Sequence, residues 1–118
     1  MPLRIAAASS DGKVVNRHFG AARQFLIFDV DGAGIRFVEK RESEPPCSQG
    51  AHDDQKLQHT IRLMADCDAV LVSRIGPVAA ALLAQSGISA MEFGGFIEDA
   101  VYKLVNSYYD DRKSIKNE

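Results

Sequence analysis

Three side chains in this sequence set metal-binding atoms in loop-like surroundings: His18, Cys47 and His52. Cys47 and His52 are spaced C-x4-H behind the stiff pair Pro45-Pro46. His18 stands in the run Asn16-Arg17-His18-Phe19-Gly20. A thiolate with one or two imidazoles suits zinc, copper or iron–sulfur species. A closed structural zinc site needs four protein ligands, usually in paired spacings, and the sequence has no C-x2-C. Three donors leave positions open on a metal, which is the pattern of an exchangeable site.

Around these donors stand groups suited to an anion. Gly76 ahead of Pro77, and the pair Gly94-Gly95, offer backbone N–H groups near helix starts. Neither matches a phosphate-loop or dinucleotide fingerprint. Arg17, Arg23 and Arg74 can add positive charge. Each candidate also has a plainer reading. Cys47 can be a small loop residue, His52 a first-turn helix residue, and His18 a ring packed on Phe19 or capping a turn. His59, seven residues after His52, reads as exposed. Cys67 lies between two aspartates at the entry to an apolar run and reads as a small core residue.

The whole chain bounds what these residues can belong to. Its 118 residues suit one domain. With 14 Lys+Arg against 16 Asp+Glu, 46% hydrophobic and 25% charged residues, it is too apolar and too weakly charged for disorder. No apolar run approaches the roughly 18 residues of a membrane span, and Arg4 interrupts the start, against a signal peptide. The net charge of −2 argues against broad binding to nucleic acid. Two cysteines are too few for a disulfide framework. The expectation is a soluble, cytoplasmic protein with reduced thiols.

The elements that must position the candidates are legible as periodicities. Residues 3–8 form a short apolar strand, ended by Ser9-Ser10-Asp11-Gly12 turn chemistry. Residues 13–20 are a loop with an extended piece near Val14-Val15. Residues 24–30 and 35–40 are two β-rich runs about Asp31-Gly32-Ala33-Gly34, a hairpin. Pro45-Pro46 excludes helix, and a helix follows over 52–65, with Leu57, Ile61, Met64 and Ala65 on one face. Residues 68–72 form a buried strand, 78–85 a helix with Pro77 in its first turn, and 88–91 a last strand. Ile97, Ala100, Val101, Leu104, Val105 and Tyr108 mark a final helical face. The chain divides into one domain over 1–105 and a polar tail over 106–118.

This order predicts a parallel α/β sheet with one antiparallel strand from the hairpin. Ligands of such sheets sit outside the carboxyl ends of the parallel strands. That rule puts the loops 9–20, 73–77 and 92–96 on one edge, joined by 45–52 if the second hairpin strand runs with the first strand. The opposite edge takes the turns at 31–34, 66–67 and 86–87, and Cys67 with them.

The run Asp11 to Gly20 with Phe25-Leu26-Ile27-Phe28-Asp29-Val30 resembles the opening of the nitrogenase iron–molybdenum cofactor biosynthesis family. That family includes the carrier NifX, the core domain of NafY and the C-terminal domain of NifB. Cys67-Asp68-Ala69-Val70-Leu71-Val72, Ile75-Gly76-Pro77, Ser86-Gly87-Ile88 and Gly95-Phe96-Ile97-Glu98-Asp99-Ala100 continue the likeness, over about residues 3–105. Its most specific part is His18-Phe19-Gly20. The resemblance implies a ribonuclease H-like three-layer α/β/α fold with a five-stranded mixed sheet. It implies a non-enzymatic role: binding an iron–sulfur cofactor precursor, such as the NifB cofactor or the FeMo-cofactor, among nitrogenase assembly proteins. His18 then matches the family histidine and Cys47 the cysteine many members carry, both as metal ligands. His52, Arg74, Gly76 and Gly95 would complete the cofactor contacts. Ser73-Arg74 replaces a Gly-Gly common in the family, and Arg74 can pair with an anionic cluster or its homocitrate. The Cx3Cx2C motif of radical-SAM chemistry is absent, so the expectation is not a complete NifB but an excised C-terminal domain, a NifX-like protein or a small homologue outside nitrogen fixation.

Two rival functions remain open at this stage. A ribonuclease H-type phosphodiesterase needs a tight acidic cluster for two divalent ions, to which only Asp11 and Asp29 could contribute. A protein-interaction module without a bound cluster is the other.

Overall fold

The apolar run at the start of the chain forms β1, Leu3–Ala8, the central strand of the sheet in a computed structural model. The structure describes residues 3–43, 47–48, 51–52 and 54–116. Pro45, Pro46 and Gly50 lie outside the described residues, as do the side chains of Cys47 and His52. After β1 come β2 (Val14–Val15), a 3₁₀ turn (Phe19–Ala21), β3 (Gln24–Asp31) and β4 (Gly34–Glu42). Then follow β5 (Cys47–Ser48), β6 (Ala51–His52), α1 (Asp54–Arg62), β7 (Ala69–Val72), α2 (Pro77–Gln85), β8 (Ser89–Glu92), β9 (Gly95–Phe96) and α3 (Ile97–Lys116).

The main sheet has the order β4-β3-β1-β7-β8. β1 pairs with β7, and β7 with β8, in parallel. β3 is antiparallel to both of its neighbours. This is the expected five-stranded mixed sheet with one antiparallel strand. Because β3 reverses direction twice over, β4 runs with β1, and the carboxyl ends of β1, β4, β7 and β8 share one edge.

Strand side chains alternate between faces, and this alternation builds two cores. Ala6, Ala8, Phe25, Ile27, Val70 and Val72 meet Leu57 and Ile61 of α1 and Ala79 and Leu83 of α2. Leu3, Ile5, Ala7, Leu26, Phe28 and Leu71 meet Ile97, Ala100, Val101 and Leu104 of α3. The layers are therefore two helices, the sheet, and one helix.

Element ends follow from local chemistry. Pro77 occupies the first turn of α2, where its missing N–H costs nothing, and Gly76 is the N-cap. The helix closes on Gly87 at φ +79°: Gly87 N–H donates to Ala84 O at 3.0 Å and Ile88 N–H to Leu83 O at 2.9 Å. α1 starts at Asp54, two residues later than the helical period suggests, because 51–52 are taken into β6. The expected tail over 106–118 is corrected as well. α3 continues through Lys116, since no Gly or Pro follows Gly95 to stop a helix once its apolar face has docked. Among the described residues no helix is long and apolar enough to cross a membrane.

Candidate functional site

β1 and β7 are parallel neighbours, yet the chain leaves them in opposite directions, from β1 toward β3 and from β7 toward α2 and β8. Such a divergence opens a crevice at the carboxyl edge. After β1 the chain makes an excursion over residues 9–16, closed by Asn16 N–H donating to Ala8 O at 3.2 Å. The excursion is held by its own side chains. Ser9 Oγ accepts from Gly12 N–H at 2.9 Å, and Asp11 Oδ1 accepts from Lys13 N–H at 2.9 Å and Val14 N–H at 3.2 Å. These two backbone donors hold the Asp11 carboxyl below its usual range. Gly12 supplies the left-handed turn, at φ +80°.

Beyond the excursion the chain takes up the parallel pairing again. Ser73 N–H donates to Arg17 O at 2.9 Å, Phe19 N–H donates to Arg74 O at 2.8 Å, and His18 and Arg74 form a parallel bridge. Phe19 is the anchor of this segment: it is 1% exposed, and its ring centroid lies 5.8 Å from that of Phe25. With Phe19 turned into the core, His18 is left exposed at the rim. An open cleft of about 430 Å³ results, lined by His18, Gly20, Ala21, Arg74, Ile75 and Gly76. Three residues singled out from the sequence, His18, Arg74 and Gly76, are thus brought together.

The other two soft donors lie alongside. Cys47 and His52 are cross-strand partners in the β5–β6 ladder. β5 comes within 8 Å, Cα to Cα, of the 3₁₀ turn that follows His18. The backbone positions of Cys47, His52 and His18 therefore converge on one edge. Among the described residues no group of three or more His, Cys, Asp or Glu side chains is gathered to hold a metal ion. Arg74 is exposed and forms no ion pair among the described residues.

Gly95 does not join them. It pairs with Val15 in the two-stranded β2–β9 ladder and is not part of the cleft lining. A Cβ there would stand 3.1 Å from the Phe93 ring, so close packing accounts for this glycine. Arg23 also lies elsewhere, in a separate cleft of about 690 Å³ with Glu42 and the exposed His59. Sequence reasoning missed Glu92. Its Oε2 accepts at 2.9 Å from the N–H of Ile75, a residue that lines the cleft. The available signal was an acid at the carboxyl end of a parallel strand next to a helix start. Ser73 Oγ, beside Arg74, is buried without a hydrogen-bond partner among the described residues.

Away from the cleft, ion pairs brace the sheet from the start of β1 to the end of β4. Arg4 Nε donates to Asp29 Oδ1 at 2.8 Å, and Asp66 takes Arg4 at 2.9 Å and Arg41 at 2.6 Å. Arg41 is the first cause, and Arg4 the second partner, that hold the Asp66 carboxyl well below its usual range; Arg4 does the same for Asp29. Cys67, 6% exposed, is in the core, and burial, reinforced by the Asp66 carboxylate, pushes its thiol up to about 12. Asp29 pairs in register with Arg4 near the start of β1, whereas Asp11 follows the end of that strand. The two acids stand at opposite ends of the sheet.

Residues 1–107 match the family described as dinitrogenase iron-molybdenum cofactor. Over 115 residues the chain is 31% identical to the FeMo cofactor biosynthesis protein NifB of Rhodobacter capsulatus, covering 96% of this chain and 25% of that protein. Over 104 residues it is 36% identical to the NifB of Sinorhizobium fredii, covering 86% of this chain and 21% of that protein. The chain thus spans a quarter or less of the length of these relatives. An NMR structure described as a candidate NifB protein from Thermotoga has the same fold, with a TM-score of 0.59 at 20% identity over 88% of each chain.

Proposed function

The chain belongs to the dinitrogenase iron-molybdenum cofactor family, and from that premise we propose that it binds and carries an iron–sulfur cofactor precursor during nitrogenase cofactor assembly. The cargo is an anionic cluster of the NifB-cofactor or FeMo-cofactor type. The observation that supports this reading is the convergence of His18, Arg74 and Gly76 on the switch-point cleft, with the Cys47–His52 ladder beside it.

In this reading the His18 imidazole and the Cys47 thiolate ligate metal atoms of the cluster, and His52 is a second imidazole next to Cys47. Arg74 supplies positive charge toward cluster sulfide or an attached carboxylate, and the guanidinium fork suits planar oxyanions. Gly76, the N-cap of α2, lines the same cleft, and negative charge is favoured near a helix start. Gly95 is assigned no contact. No residue is assigned a catalytic role: the protein acts by holding its cargo and passing it to nitrogenase assembly proteins. The sheet order, with its second strand antiparallel, supports the ribonuclease H-like reading of the fold. Phosphodiesterase chemistry of that fold is disfavoured, because its two metal ions need carboxylates side by side, and Asp11 and Asp29 are engaged at opposite ends.

Anaerobic titration with purified NifB cofactor tests the proposal. The unaltered protein is expected to take up the brown cluster with about one equivalent per chain. The His18→Ala, Cys47→Ala double variant is expected to lose uptake while keeping its circular dichroism. Unchanged uptake by the folded double variant would overturn the assignment.

A further inference from the structure

Glu92 does not itself line the cleft, but its carboxylate holds the backbone of Ile75, which does, and its position is set by the sheet. β8 pairs with β7 in register Val72 to Glu92, and Phe93 N–H donates to Val72 O at 2.8 Å, which fixes the end of β8 beside the 73–76 turn. From there Glu92 Oε2 accepts the Ile75 N–H at 2.9 Å. Ile75 both lines the cleft and packs against the core, so its amide is held in place and aimed. Gly76, the N-cap, has no side chain of its own to satisfy donors at the start of α2. The carboxylate thus occupies a donor at the approach to the helix, where an incoming anion would also bind. The charges nearby are unbalanced. Arg74, adjacent to Ile75, has no ion pair among the described residues, and Glu92 binds the Ile75 backbone instead.

Resting on the reading of this cleft as an anionic-cluster site, we infer that Glu92 is an internal competitor for that site: its carboxylate holds the Ile75 N–H in the free protein and is displaced when the cluster enters. Glu92 sets affinity from the empty side. An anionic cargo must replace one charge-assisted hydrogen bond and then share the cleft mouth with a released carboxylate. A neutral ligand would not meet the second obstacle. The device weakens retention and favours release, as a carrier requires.

The test compares unaltered protein, Glu92→Gln and Glu92→Ala in anaerobic titrations with purified NifB cofactor, with the Ile75 amide followed by NMR. Glu92→Gln keeps an acceptor for Ile75 N–H while removing the charge. Both variants are expected to bind the cofactor roughly tenfold more tightly, the order of one charge-assisted hydrogen bond exchanged. In unaltered protein the Ile75 amide resonance is expected to move on cofactor addition. Equal affinity in all three proteins, or weaker binding in a folded Glu92→Gln, overturns the role of Glu92 and leaves the carrier reading standing. Absence of binding in all three overturns the carrier reading, and this inference with it.

Discussion

At the scale of single residues, the two cysteines have opposite fates. Cys67 is core, and its thiol, raised by burial to about 12, stays protonated at neutral pH. In a Cys47→Ser background, iodoacetamide at pH 8 is therefore expected to modify Cys67 only after unfolding, as mass spectrometry of native and denatured samples would show. A raised thiol also has a sign for stability. The contribution is complete below the unfolded value near ~8.5 and declines as pH rises toward 12. The melting temperature of the protein is expected to fall more steeply above pH ~8.5 than that of Cys67→Ala. The core role of Cys67 was legible from its place at the entry to an apolar run. The Glu92 contact was not, because it joins residues 17 positions apart whose meeting depends on strand order. Gly95, read from the sequence as a backbone N–H donor near a helix start, lies instead in the β2–β9 ladder, a pairing of strands too short to show in the sequence.

At the scale of elements, the site is positioned by anchors that are not ligands. Phe19 is the clearest case. Phe19→Ala is expected to lower stability by about 3–5 kcal/mol, read from urea unfolding. Phe19→Leu, which retains most of the volume, is expected to remain folded and to bind cluster more weakly than unaltered protein as the His18 segment loosens. Gly87→Ala places a Cβ at φ +79° and is expected to cost about 1 kcal/mol without altering cluster uptake. β1, β3, β4, β7 and α2 were legible, because apolar or β-rich runs mark the strands and Pro77 and Gly87 bracket the helix. The two-residue strands β5, β6 and β9 were not. They carry too few residues to show alternation, and their partners are chosen by the course of the chain around them. The full length of α3 was hidden as well, since a polar helical extension has the composition of a tail.

At the scale of the whole molecule, ion pairs brace the sheet from the start of β1 to the end of β4, apart from the candidate cleft. Arg4, Asp29, Asp66 and Arg41 tie β1, β3, β4 and the turn before β7 together. The lowered carboxyls of Asp66 and Asp29 contribute above the ordinary carboxylate range near ~4, and that contribution is lost as pH falls below it. Asp66→Asn is expected to destabilise the protein at pH 7 by on the order of 1 kcal/mol, since the side chain is partly exposed. Its melting temperature should then vary less than that of unaltered protein below pH ~4. The net charge of −2 carries its own expectation. Without a broad basic surface, cluster affinity should fall only a few-fold between 50 and 500 mM salt, because contacts at close range are screened least. The excursion over residues 9–16 bears on the molecule differently. Its ends are stitched together at Ala8 and Asn16, and the sheet continues past it as though it had been spliced in. Asp11 folds its tip and β2 holds it to β9, so a guest segment inserted between Ser10 and Asp11 would unmake that turn, while the bonds from Ser73 N–H to Arg17 O and from Phe19 N–H to Arg74 O keep the cleft residues in place.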